Sequence, residues 1–187
     1  MRPCNNLLAI LEELTEDAKR VNGEEVDAVK ALITEAKRVF VAGAGRSGFA
    51  ARGFANRLMH LGYSSYFVGE PTTPSIQQGD LLIIGSGSGE TASLKAMAQK
   101  AVEQGAKLAT LTIFPSNTIG SMAAACIKIP GITSKVEEEG DNAKSIQTKG
   151  SSFEQLSWLI YDSIIIDLKR ETGQTDADMF ARHANLE

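Results

Sequence analysis

Two short segments of the chain combine glycines with hydroxyl side chains, and each follows an apolar run and leads into a helical pattern: Gly43-Ala44-Gly45-Arg46-Ser47-Gly48 and Ser86-Gly87-Ser88-Gly89-Glu90-Thr91. Glycine lets the backbone fold back so that several N–H groups face inward, and a helix start adds partial positive charge. Ser86, Ser88 and Thr91 add hydroxyl donors, so the second segment can satisfy the oxygens of a phosphate dianion without a lysine. It lacks the Gly-Lys-Ser/Thr ending of a nucleotide-binding loop, which argues against ATP. A simple helix cap is the plainer alternative, but three hydroxyls and two glycines in six residues exceed what a cap requires. The first segment, read literally, is the dinucleotide pattern G-x-G-x-x-G, and Glu70 follows about 20 residues later, where a ribose-binding acid would stand. A dinucleotide oxidoreductase and a ligand-free tight turn therefore both remain open for it. A dinucleotide accounts for the first segment only, whereas one phosphorylated ligand between neighbouring strand ends uses both.

Other side chains have two readings each. Ser151-Ser152-Phe153-Glu154 fits a capping box, with Glu154 returning to the Ser151 amide. Arg46 can offset the charge of a substrate or pair with a surface acid. His60 precedes Gly62 in the last turn of a helix, where an imidazole complements the helix dipole, a structural role. His183, near the end of a polar tail, is an exposed imidazole or a proton carrier, its ordinary pKa lying near neutrality. The run Glu137-Glu138-Glu139 reads as part of a solvated loop.

The elements that must position these groups follow from apolar spacing. Leu7, Leu8, Leu11 and Leu14, then Val26, Val29 and Ile33, recur at helical intervals. Short apolar strands are expected over residues 39–42, 63–68, 81–84, 107–114 and 126–129. Helices are expected over 47–61, 91–103, 119–125 and 152–169, with a polar helical tail over 174–187. Strands alternating with helices of this length imply an α/β fold, a three-layer α-β-α sandwich around a five-stranded parallel sheet. A flavodoxin-like order of 2-1-3-4-5 makes the first and third strands neighbours, so both glycine segments face one crevice beyond the strands' carboxyl ends.

The 187 residues suit a single domain, in which residues 1–38 form helices available for oligomer contacts, 39–130 the sheet core with both glycine segments, and 151–187 the C-terminal helices. A net charge of −4 argues against a nucleic-acid partner. No apolar run is long enough to cross a bilayer, and the N-terminus turns acidic too early for a secretory signal. Cys4 and Cys126 make neither a disulfide framework nor a zinc site, so reduced thiols, a cytoplasmic location and no bound metal are expected.

The segment at residues 86–91 resembles the phosphosugar signature of the sugar isomerase (SIS) domain. More narrowly, residues 41–48 (VAGAGRSG), 57–63 (RLMHLGY), 68–76 (VGEPTTPSI), 79–91 (GDLLIIGSGSGET) and 182–187 (RHANLE) resemble the 6-phospho-3-hexuloisomerase family. The likeness runs over nearly the whole chain. It implies a cofactor-free and metal-free isomerase that interconverts 3-hexulose 6-phosphate and fructose 6-phosphate through an enediol, assembled as a homotetramer with sites near subunit interfaces. By the same resemblance Ser47 and residues 86–91 bind substrate and Glu154 is the base. A histidine near the C-terminus, here His183, enters a neighbour's site in related isomerases. One departure stands out: Thr148 and Lys149 precede Gly150 where the family has a proline and an apolar residue. Alternatives within the class are an isomerase of another phosphosugar or a non-catalytic phosphosugar sensor.

Overall fold

A computed structural model of the protein describes residues 2–131 and 145–186. Two helices, α1 (Asn5–Ala18) and α2 (Gly23–Glu35), precede the alternating part. There follow β1 (Val39–Gly43), α3 (Gly45–His60), β2 (Ser65–Phe67), β3 (Leu81–Gly85), α4 (Ala92–Glu103), β4 (Lys107–Thr112), α5 (Thr118–Met122) and β5 (Ala125–Lys128). The chain closes with α6 (Ser151–Thr172) and α7 (Asp176–Phe180). The sheet is parallel throughout, with the order β2-β1-β3-β4-β5 that the alternation implies. The Glu137–Glu139 run lies outside the described residues.

The three inner strands, β1, β3 and β4, are buried on both faces, which is why they read as continuous apolar runs rather than as alternating ones. Side chains two apart share a face. Val39, Val41, Leu81 and Ile83 therefore pack with Phe54 and Leu58 of α3 and Leu156, Ile160 and Ile164 of α6. Phe40, Ala42, Leu82 and Ile84 pack on the other face with Leu94, Ala98 and Ala101 of α4. Tyr161 is buried in the first layer, its ring stacked 4.4 Å from that of Phe54.

Among the elements that end differently from their sequence patterns, three do so for a plain local reason. The strand expected over 63–68 shrinks to three residues, because Gly62 turns with φ +91° and the Tyr63 amide still donates to Leu58 at the end of α3. The strand expected over 107–114 stops at Thr112, because the Ile113 amide leaves the sheet to donate to Gly87 O. The tail is helical only over α7, which a Thr175–Asp178 capping box starts. Beyond it the Arg182 guanidinium donates to His60 O, at the end of α3, and ties the chain down there.

Candidate active site

The two glycine segments meet because β1 and β3 are neighbours: Gly43 and Gly85, the last residues of these strands, lie opposite one another in register. In the first segment the glycines serve close packing. A Cβ on Gly48 would stand 2.8 Å from Gly43 O, so the first turn of α3 rests directly on the end of β1. Gly45 turns the chain with φ +58°, and Ala44 at the N-cap offers no side-chain bond to the helix.

The second segment is held from outside by the connection after β4. The amides of Ile113 and Ile119 donate to Gly87 O and Gly89 O, and Asn117 Nδ2 donates to Ser88 O. A planar trans peptide points its N–H opposite to its C=O. With the Gly87 carbonyl turned to β4, the Ser88 amide faces the other way. Ser86 and Ser88 are buried. Thr91, the N-cap of α4, makes no side-chain cap bond to its helix, and the first amides of any α-helix lack intrahelical partners.

A third helix start completes the site from far along the chain. The N-cap of α6 is Gly150, left-handed at φ +93° and without a side-chain cap. The helix begins at Ser151, earlier than the spacing suggests, so the Ser151–Glu154 capping box does not form. The Ser151 amide donates to Thr148 O instead. Glu154 Oε2 accepts from Arg46 Nε at 2.5 Å, an ion pair that joins the first turns of α3 and α6. The Phe153 ring lies against Gly87, where an added Cβ would meet it at 3.3 Å.

These three helix starts surround a cavity of about 280 Å³. Arg46, Ser47, Ser86, Gly87, Ser88, Thr91 and Glu154 line it, as the sequence led us to expect. Lys149, Gly150 and Phe153 also line it and were not anticipated, although the departure at Lys149, next to a glycine and a helix start, was a signal. Among the described residues the charged lining residues are Arg46, Lys149 and Glu154, a net charge of +1 before the helix ends add theirs. Such a cavity suits an anion with a carboxylate standing beside it. Among the described residues no cluster of His, Cys, Asp and Glu has the makings of a metal site.

Four residues that the sequence singled out stand elsewhere. Glu90 is not in the lining. Its carboxylate accepts from the Thr118 amide at 2.6 Å and from Lys95 at 2.9 Å, and these partners, Thr118 first, hold its pKa down to about 2. It therefore joins α4 to α5. Gly89, with φ +63°, shapes the turn behind the cavity. His183 stacks on the buried His60 at 4.8 Å between ring centroids, at the far end of α3. The helix between it and Ser47 spans about 20 Å at 1.5 Å per residue, so this chain's His183 does not reach its own cavity. Glu70, the candidate ribose acid, is engaged by Arg52 at 2.6 Å.

Comparison with known proteins adds to this geometry. Residues 32–157 match the SIS domain family. A Bacillus subtilis protein named 3-hexulose-6-phosphate isomerase is 43% identical over 187 residues, with both chains covered in full. A Mycobacterium gastri protein of the same name is 37% identical, covering 98% of this chain and 90% of its own. Among solved structures, a Methanococcus jannaschii protein superposes with a TM-score of 0.76 at 33% identity, covering 98% of this chain and 96% of that one. Its structure is described as inferring a molecular function of 3-hexulose-6-phosphate isomerase.

Proposed function

Because the chain belongs to the SIS domain family, we propose that it interconverts D-arabino-hex-3-ulose 6-phosphate and D-fructose 6-phosphate, with Glu154 as the base. The observation that carries this reading is the convergence of three helix starts without side-chain caps on one cavity that, among the described residues, holds a single carboxylate. The amides and hydroxyls of Ser47, Ser86, Ser88 and Thr91 bind the phosphate, and that remote grip fixes the reacting carbons against Glu154. Glu154 takes the proton from one carbon and returns it to the next, a positioned transfer that contributes roughly 10²–10⁴-fold. This activity fits a ribulose monophosphate pathway.

The enzyme works in the cytoplasm as a homotetramer with sites near subunit interfaces, and the tail of one subunit, with His183, stands close to the cavity of another. Support for the assembly comes from an apolar face beside the site. Phe49 and Trp158 are exposed next to Arg46 and Glu154, and Met59, Leu159 and Ile166 are exposed farther along α3 and α6. Support for the location comes from the free thiols, Cys4 and Cys126. No helix among the described residues is long and apolar enough to cross a membrane.

The test is fructose 6-phosphate in deuterated water. The protein is expected to exchange a carbon-bound proton and form the hexulose phosphate, and Glu154→Gln to lower kcat by roughly 10²–10⁴-fold while still binding inorganic phosphate. Turnover that survives Glu154→Gln would remove the proposed base.

A further inference from the structure

We propose that Arg46 is a second catalytic group of this site. Its guanidinium holds the Glu154 carboxylate through Nε and presents its other N–H groups to the substrate oxygens that become negative during the reaction. The inference rests on the isomerase reading and adds to it the electrophile that the chemistry needs.

The geometry divides both partners in half. Arg46 engages Glu154 through Nε alone, and its Nη groups have no partner among the described residues. Glu154 accepts through Oε2 alone, which leaves Oε1 for a proton. The Arg46 side chain is 68% exposed and lines the cavity, whereas that of Glu154 is 20% exposed. A guanidinium carries its donors in one rigid plane, so fixing Nε on the base also fixes where the remaining donors stand.

The reaction makes use of that plane. Glu154 Oε1 takes the proton from C2, the C–H electron pair becomes the C2=C3 double bond, and the carbonyl pair moves onto O3. A proton then passes through solvent from O2 to O3, which moves the negative charge to O2. The O2 pair re-forms the carbonyl at C2, and C3 takes back the proton from Glu154. Each atom and charge is returned, with no oxidant or reductant. The charge visits two adjacent oxygens in one plane, and a two-pronged planar donor serves both. An ammonium is a point charge and does not. Lys149 also lines the cavity, but no hydrogen bond or ion pair ties it to the base among the described residues.

The experiment compares Arg46→Ala and Arg46→Lys with the unaltered protein on fructose 6-phosphate. Removing a preorganised oxyanion donor costs about 10²–10³-fold in kcat, and KM is expected to stay within about threefold because the phosphate grip is intact. Added guanidinium ion should restore part of the Arg46→Ala rate, and Arg46→Lys should remain about tenfold or more below the unaltered protein. A rise in KM at unchanged kcat would make Arg46 a phosphate ligand only and overturn the proposal. Unchanged kinetics, or a kcat loss that guanidinium leaves untouched, would overturn it equally. If the unaltered protein neither turns over the ketose phosphates nor exchanges a proton in them, the isomerase reading itself fails.

Discussion

Gly48→Ala tests how the first glycine segment is built. A Cβ there would stand 2.8 Å from Gly43 O and 3.0 Å from Gly43 C, whereas ordinary contact begins at 3.4 Å. Helix and strand must therefore part by about 0.6 Å. Neither neighbour is a side chain that can turn aside. Gly43 is held in register against Gly85, so the displacement falls on the first turn of α3, which carries Arg46 and Ser47. Overpacking of this kind costs about 1–3 kcal/mol. At about 2–4 °C per kcal/mol for a domain of this size, the expected drop in Tm is roughly 4–8 °C for a cost near 2 kcal/mol. A 1 Å misplacement of reacting groups can cost 10²-fold, so half of that is expected to lower turnover by about tenfold. Thermal unfolding and isomerase turnover are the two measurements. Gly23→Ala is the control. Nothing lies within 4 Å of its added Cβ, it sits at the start of α2, and helix propensity favours alanine by up to about 1 kcal/mol. A Gly48→Ala protein with unchanged Tm and turnover would refute the claim that the pattern exists for strand–helix contact.

Two further expectations concern the ends of the fold away from the cavity. Burial, then the nearby His183 and Arg57, holds the His60 pKa below its ordinary 6.5, so the unfolded chain binds the proton first. The stability this contributes is whole above about pH 6.5 and is lost as pH falls through the lower folded value. Tm should fall between about pH 7.5 and about pH 5, and His60→Phe should flatten that dependence; an equally steep fall in the variant would show that another group is responsible. At the amino end of the central strand β3, the opposite end of the sheet from the cavity, buried Asp80 accepts from Arg38 Nε at 3.0 Å, from an Arg38 Nη at 2.6 Å and from the Gln77 amide at 2.8 Å. Asp80→Ala is expected to cost about 3 kcal/mol in denaturant unfolding with kcat preserved, and a loss of kcat in the folded variant would contradict that separation of roles.

Local chemistry settled a large part of this protein in advance. Apolar runs flanked by helical patterns dictate a parallel sheet covered on both faces, because only that arrangement buries both sides of each strand. Once β1 and β3 are neighbours, the two glycine segments must open on the same crevice, so Ser47, Ser86, Ser88 and Thr91 were legible from residue types and order. Element ends were less so. Where the chain left its pattern, at Tyr63, Ile113 and Arg182, a hydrogen bond to a distant or turned-back carbonyl drew it away. Packing alone decided the rest of the site. Spacing alone read Glu154 as part of a helix cap and only the family resemblance made it the base; the fold carries the start of α6 to the start of α3 and gives its carboxylate to Arg46. Glu90 belonged to the right segment and pointed the wrong way, because the Thr118 amide offered its carboxylate a nearer partner. Which direction a side chain takes depends on the donors that long-range folding brings within reach, and spacing along the chain does not encode them.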